Sequence, residues 1–170
     1  EAAPVLLDVV ASDDSSDTAK GLATWGLSFL GTAGAMHLYN AIDSDNEEVR
    51  SAVIGALTTL VQENDDQQAL GLLVSGLSDA AAMVRSEAAA ALGKLSDPTV
   101  VPHLTTVLTD VDTDVRKTEA MAMMKIGSAD AITPLEDALV YETDEAIQPV
   151  IRLAIAQLQK KQEEENDGWD

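Results

Sequence analysis

The chain has 170 residues, 46% of them apolar and only 3% aromatic, and its 30 acidic residues against 10 basic ones give a net charge of -20. A core drawn from Ala, Leu, Val, Ile and Met suits close helix packing, because Ala and Leu head the helix-propensity scale. The absence of cysteine excludes disulfides, thiolate metal sites and cysteine nucleophiles, and the acidic balance excludes nucleic acid and anionic membranes as partners, since both call for clustered Lys and Arg. No apolar run approaches the roughly 20 residues that span a bilayer, and the amino terminus lacks a basic-then-apolar signal pattern. A cytoplasmic protein is expected.

Helical periodicity predicts helices over 3–11, 17–30, 34–42, 46–62, 67–77, 81–95, 99–109, 113–126, 130–140 and 144–162. The first, Ala3 to Ala11, aligns with Val101 to Thr109 and so reads as the second helix of a pair whose first helix is missing. Either that helix caps the stack in its own right or upstream repeats have been removed, and Glu1 in place of Met favours removal. From there a unit recurs. Val-Arg opens a helix at Val49-Arg50, Val84-Arg85 and Val115-Arg116, with the arginines 35 and then 31 residues apart. Seven residues on stand Leu57, Leu92 and Met123, and ten on stand Leu60, Leu95 and Ile126, offsets that share one helical face. Lys20, with Leu27 and Leu30, and Gln148, with Ile155 and Leu158, mark weaker copies.

Second helices repeat as well, with Leu38, Leu73, Leu104 and Leu135 in register once a longer connection from Gln62 to Asp66 is allowed. Gly31, Ser96 and Gly127 fall where a helix closes on a left-handed turn. Pro98, Pro102 and Pro134 fall in or near the first turn of second helices, where a missing N–H matters little. Five near-regular copies, each unable to bury its apolar faces alone, predict an all-α fold: a right-handed α-solenoid of about five helix pairs over 1–162, followed by an acidic, disordered tail over 163–170.

An aspartate six residues before arginine, Val-Arg opening an Ala-rich first helix, and a Leu-rich second helix together resemble HEAT repeats. The period near 31 is similar to the short repeats of the phycobilisome-lyase type. The resemblance covers essentially the whole chain and implies an aspartate–arginine ladder between units, here Asp79 with Arg85 and Asp110 with Arg116. Ser44, Asp14 and Glu142, the last two preceding Lys20 and Gln148, depart from the pattern, so the ladder is expected only in the middle. Each intact pair is expected to meet within its own loop-to-helix turn. The resemblance also implies adaptor, scaffold or bilin-lyase-subunit roles. The iron-binding branch, the deoxyhypusine hydroxylases, carries His-Glu dipeptides, whereas this chain has His37-Leu38 and His103-Leu104.

No catalytic constellation emerges from the remaining motifs. His37 and His103 occupy equivalent positions two repeats apart, roughly 20 Å at the usual 8–10 Å helix spacing, too far to share a metal. Asp110, Asp112 and Asp114 begin like a calcium loop, but its sixth and twelfth positions are Val115 and Met121. Asp17 and Asp114 are instead expected as helix caps. Ser75 lies in no nucleophile elbow, and Gly93-Lys94 in no phosphate loop. No metal or cofactor is expected.

The expected functional element is therefore a surface. In solenoids of this kind second helices line the concave side, and their outward positions are His37, Asn40, Leu72, Ser75, His103, Thr106, Thr133 and Asp137. That mixed, mildly polar stripe suits a protein segment. The reading is a protein-interaction scaffold, with a subunit that holds a bilin or its acceptor phycobiliprotein as the alternative. Trp25 and Met121, Met123 and Met124 fall on first helices and are expected as core filling or contacts with a neighbouring repeat. Because helix 3–11 lacks a partner, the amino-terminal edge around Val5, Val9 and Trp25 is expected to meet the preceding repeat or, weakly and aided by salt, a second copy of the chain.

Overall fold

The computed structural model describes residues 2–167. Among them the chain forms ten helices and no strand: α1 (Ala2–Ala11), α2 (Asp17–Ser28), α3 (Gly31–Ala41), α4 (Glu47–Asn64), α5 (Gln67–Gly76), α6 (Ala82–Leu95), α7 (Val101–Leu104), α8 (Thr113–Ile126), α9 (Ile132–Tyr141) and α10 (Gln148–Asp167). In chain order α1 precedes four helix pairs, and α10 follows them. The chain divides into two compact units, 1–91 and 92–170, the boundary falling inside α6.

In the first unit α4 packs on α2, α3 and α5, and α1 packs on α2, α3 and α4. Leu27, Leu38, Ile54, Leu57, Leu60 and Leu73 are fully buried there. In the second unit α10 packs on α8 and α9, and α8 on α7. Leu92, Leu104, Met123, Leu135 and Ile151 fill that core. Every side chain expected seven residues after the arginine position is buried: Leu27, Leu57, Leu92, Met123 and Ile155.

The turns follow from the residues that make them. Gly31 (φ 52°), Ser96 (φ 55°) and Gly127 (φ 72°) adopt the left-handed conformation expected of them. At Gly127 the N–H closes back on the Met123 carbonyl, while the Lys161 ammonium donates to the Gly127 carbonyl at 2.9 Å, a cation at the negative end of α8. Helix 99–109 is less regular than expected. It is a short α7 between 3₁₀ turns at Pro98–Val100 and Thr105–Val107. Pro102 cannot donate, and the Thr105 hydroxyl donates to the Val101 carbonyl and that of Thr106 to the His103 carbonyl, competing with the ladder.

Four expectations need correction. The extra residues 62–66 do not make a longer loop. They extend α4 to Asn64, with Asp65 as a left-handed cap (φ 52°) and Asp66 opening α5. The caps at α2 and α8 are Ser16 and Asp112, whose side chains accept the N–H of Ala19 and those of Asp114 and Val115. Asp17 and Asp114 sit inside the first turn, where their charge still favours the helix dipole. Residues 163–167 of the expected tail are helical and exposed, carried by Lys160–Glu164 and Lys161–Glu165 pairs. Residues 168–170, including Trp169, lie outside the described residues. Finally, of the two expectations for Trp25 the core-filling one fails, since its side chain is exposed, and Met121 is partly exposed beside the buried Met123.

Small residues let the helices approach closely. A Cβ built on Gly93 would stand 2.8 Å from both the Cα and the Cβ of Ala122, whereas one on Gly71 would meet nothing within 4 Å. Gly93→Ala is therefore expected to lower stability by about 1–3 kcal/mol despite its better helix propensity, because the obstacle is backbone. Gly71→Ala should raise stability by about 0.5–1 kcal/mol. Urea unfolding of the two variants checks the opposite signs.

Candidate protein-binding surface

The surface is positioned by arginines at the openings of first helices. Arg50 donates through Nη1 to the Ser44 carbonyl, six residues back, at 2.8 Å. Its Nε and Nη2 grip both carboxylate oxygens of Asp79, each at 2.8 Å. Arg116 repeats the arrangement with the Asp110 carbonyl (2.8 Å) and a two-pronged contact to Glu142 (2.7 and 3.0 Å). Arg85 donates to the carbonyls of Asp79 (2.9 Å) and Ala80 (3.1 Å).

Within its own turn, then, the arginine takes the main-chain carbonyl of the residue six before it, not that residue's carboxylate. The carboxylate accepts the N–H two residues on: Asp79 from Ala81, Asp110 from Asp112, and Glu142 from Asp144, each at 2.8 Å. For Asp79 and Glu142 the same group also accepts the guanidinium of the preceding unit.

This corrects the expected middle-only ladder. Ser44 still supplies its carbonyl to Arg50, and its hydroxyl accepts the Asn46 N–H at 3.2 Å. Glu142 substitutes for aspartate, and Gln148 imitates an arginine by donating to the Glu142 carbonyl at 2.8 Å. Lys20 pairs with Glu48 instead. The Arg50 hydrogen bond, aided by the Ala81 N–H, holds Asp79 below the usual carboxylate range against the opposing effect of burial, and Arg116 does the same for Glu142.

A second tie spans second helices in the first unit. The Tyr39 hydroxyl on α3 donates to Asp66, whose carboxylate also caps α5 at the N–H groups of Gln68 and Ala69. Burial and this acceptor push the Tyr39 phenol up to about 12, and the same contact lowers Asp66. No sequence signal singled out Tyr39, because its partner lies a repeat away.

These ties position the expected stripe. His37, Asn40 and Ser75 of the first unit are exposed and Leu72 is half-buried; His103, Thr106, Thr133 and Asp137 of the second unit are all exposed. In the second unit a groove of about 590 Å³ runs between α7 and α9, lined by Val101, Pro102, Thr105, Asp130 and Pro134 among others. Its lining residues neighbour His103, Thr106 and Thr133 in sequence. Among the described residues no cluster of three or more His, Asp or Glu could hold a metal ion, and no helix is long and apolar enough to cross a membrane.

Sequence reasoning missed Glu119. It lies three residues after Arg116, where the other copies carry Ala23, Val53, Ala88 and Ile151, all buried. Glu119 is buried as they are, and neither carboxyl oxygen has a hydrogen-bond partner. Burial raises its pKa well above the ordinary value. A single acid in an otherwise apolar column of the repeat was the available signal.

Helix pairs tied turn to turn by guanidinium groups, with solvated second helices in each unit, define an α-helical repeat protein. The chain belongs to the HEAT-repeat family, whose model matches residues 35–121 and 72–157. Among curated proteins it is similar to the bilin biosynthesis protein MpeU of Synechococcus sp. (strain WH8020), with 33% identity over 156 residues that cover 91% of this chain and 52% of that protein. It thus spans about half the length of this relative. Among solved structures, the complex of CpcE and CpcF of phycocyanin lyase from Nostoc sp. PCC7120 matches with a TM-score of 0.74 at 24% identity, over 90% of this chain and 97% of that one. A designed armadillo repeat protein in complex with the peptide (KR)4 matches with a TM-score of 0.58 at 23% identity, over 92% and 81% of the two chains. At these identities the two structures establish the fold.

Two stability predictions follow from the ladder and the buried acid. Arg116→Ala leaves Glu142 without its charged donor and should cost about 1.5–3 kcal/mol, whereas Lys117→Ala, on the exposed side, should stay within about 0.5 kcal/mol. Denaturant midpoints separate the two. Glu119 acts with the opposite pH sign to Asp79 and Glu142. Their lowered pKa values support the fold above the ordinary carboxylate range and cease to as pH falls. The raised pKa of Glu119 means that the fold loses stability as pH rises past the ordinary glutamate value. Glu119→Met is expected to stabilise by about 1–4 kcal/mol near pH 7.5, with the gain shrinking towards pH 4.5. Urea titrations at the two pH values check it; a gain that is constant with pH would contradict a buried acid.

Proposed function

We propose that this chain is a subunit of a bilin-lyase-type assembly and that it works as the scaffold that docks a protein partner, the phycobiliprotein that accepts the chromophore. The observation that carries this reading is the similarity to a bilin biosynthesis protein along 91% of the chain. The fold shared with a phycocyanin lyase complex is consistent with it.

The chemistry of the chain favours holding the acceptor protein over holding the bilin itself. Bilin propionates call for Arg or Lys in charge-assisted hydrogen bonds. Arg50 and Arg116 grip carboxylates, and Arg85 donates into its own turn. Arg152 is exposed and donates to Gln148. A protein segment asks for less: a solvated row of donors and acceptors on rigid helices. The stripe of His37, Asn40, Leu72 and Ser75 in the first unit, and His103, Thr106, Thr133 and Asp137 in the second, supplies that row, and the groove between α7 and α9 adds apolar contact.

The test combines size-exclusion chromatography with absorbance. The chain should co-elute with an apo-phycobiliprotein and speed attachment of phycocyanobilin to it, and the double variant His103→Glu/Thr106→Glu should weaken co-elution about tenfold or more, as expected when contact residues at a specific interface are lost. Mixed with phycocyanobilin alone, the chain should leave the free-bilin spectrum unchanged. Absence of co-elution together with an unchanged attachment rate would overturn the reading.

A further inference from the structure

Helix α2 and its C-cap residue Phe29 carry three large apolar side chains on the outer face. Leu22, Trp25 and Phe29 stand at i, i+3 and i+7 and are 63%, 64% and 70% exposed. The two rings meet with centroids 4.4 Å apart, forming one ridge. Ala23 and Leu27, on the inner face of the same helix, are buried, so the ridge is no misplaced core. Contiguous exposed apolar surface of this kind marks a contact site.

Between the ridge and the core, α2 opens on a cleft of about 270 Å³ within the first unit. Val10, Ala52 and Met83 give it apolar walls, and Asp17, Glu48 and Glu87 line it with carboxylates. Lys20 is the one cation among its lining residues, and it is paired with Glu48. Gly21 stands between cleft and ridge, and a Cβ built on it would meet nothing within 4 Å, so a partner's side chain can lie directly against the α2 backbone there.

We infer that ridge and cleft form one docking surface for a protein segment that presents a basic side chain, arginine above all, next to apolar residues. The carboxylates outnumber the single lysine, and the net charge of -20 attracts a cation from a distance. The aliphatic stem of such a residue matches the apolar walls while its head stays among the carboxylates. Trp25, one helical turn after the lining residue Gly21, offers a π face to a guanidinium. Tryptophan and arginine are also the residues on which interface energies concentrate.

A second copy of the chain, one of the two occupants expected from sequence alone, fits less well. It brings a further charge of -20, its own ridge is preceded by Asp13, Asp14 and Asp17, and the lysine of its α2 is already paired. This surface lies on α2 and its cleft, apart from the stripe of second helices, and does not depend on the lyase-type reading.

Trp25 is its own reporter. The chain has two tryptophans, so Trp169→Phe leaves Trp25 as the single indole. The probes are a helical peptide with one face of leucine and one of arginine, and a twin with every arginine replaced by glutamate. Expected are a saturable blue shift of Trp25 emission with the arginine peptide, weakened by salt, and none with its twin. Leu22→Ser/Phe29→Ser should weaken binding tenfold or more. Asp17→Asn/Glu87→Gln should weaken it several-fold and flatten its salt dependence, and Tyr141→Ser, an exposed ring in the second unit, should leave it unchanged. No shift, equal binding of both peptides, or an unaltered Asp17/Glu87 variant would overturn the inference. So would a shift that appears on concentrating the protein without peptide, if sedimentation then shows a dimer lost in the Leu22/Phe29 variant; the occupant would be a second copy.

Discussion

A guanidinium that takes a carbonyl behind it and a carboxylate ahead of it is the contact from which the order of this chain follows. Helix pairs of Ala and Leu have abundant apolar surface but little shape to say where the next pair belongs. The Arg50 and Arg116 contacts supply that register. Each fixes the turn six residues back, and each reaches a carboxylate that is itself folded into the next turn by an N–H two residues on. Turn geometry and repeat stacking are thereby the same constraint. Because guanidinium and carboxylate are both largely shielded from water, with the Glu142 side chain 4% exposed, the contact is screened little by salt. A shielded carboxylate left without its donor is costly.

The apolar core obeys the complementary constraint. Its close approaches, Gly93 against Ala122 and Gly76 against Ile54 and Ala88, leave no room even for a methyl group without movement. Glu119 sits in this tight setting without a partner, which identifies the second unit as the place where the repeat departs from its own rule. An acid kept neutral by burial weakens the fold at neutral and alkaline pH. It is a local inconsistency of the kind that sequences tolerate when stability is supplied elsewhere.

Most of the fold was legible because it is written in periodicity. The column of Leu57, Leu92 and Met123 and the column of Leu38, Leu73, Leu104 and Leu135 are buried throughout, since a 3.6-residue period and a repeat length together define which face turns inward. The ladder was legible only in part. Sequence names the side chain six residues before the arginine, but the acceptor is that residue's carbonyl, which every residue type carries; the Ser44 copy therefore works as well as the Asp110 copy. Cap positions moved by one or two residues because aspartate and serine crowd the same turns and composition cannot rank them. The extended α4 was hidden for a related reason: Gln62 to Asp66 reads as loop chemistry, while two adjacent aspartates end one helix and begin the next. The stripe was legible as a set of outward positions, but the Tyr39–Asp66 tie that joins α3 to α5 was not, because nothing in either residue's neighbourhood announces a partner 27 residues away.

The same packing explains why the rare rings are where they are. Helices that meet through glycine and alanine have no cavity for an indole or a phenyl group, so an aromatic residue on or next to a helix is pushed to its outer face. Trp25, Phe29 and Tyr141 are accordingly exposed, and Tyr39 is half-buried with its hydroxyl tied to Asp66. A ring that stabilises no core is retained at the expense of solubility, which a charge of -20 readily offsets. Acidity and exposed aromaticity then act together. The charge keeps identical chains apart and draws in cations, and the ring supplies the short-range contact once a basic, apolar segment has arrived. On this reasoning close-packed helices account for the few, exposed aromatics, and these together with the many acids have one consequence in the choice of partner.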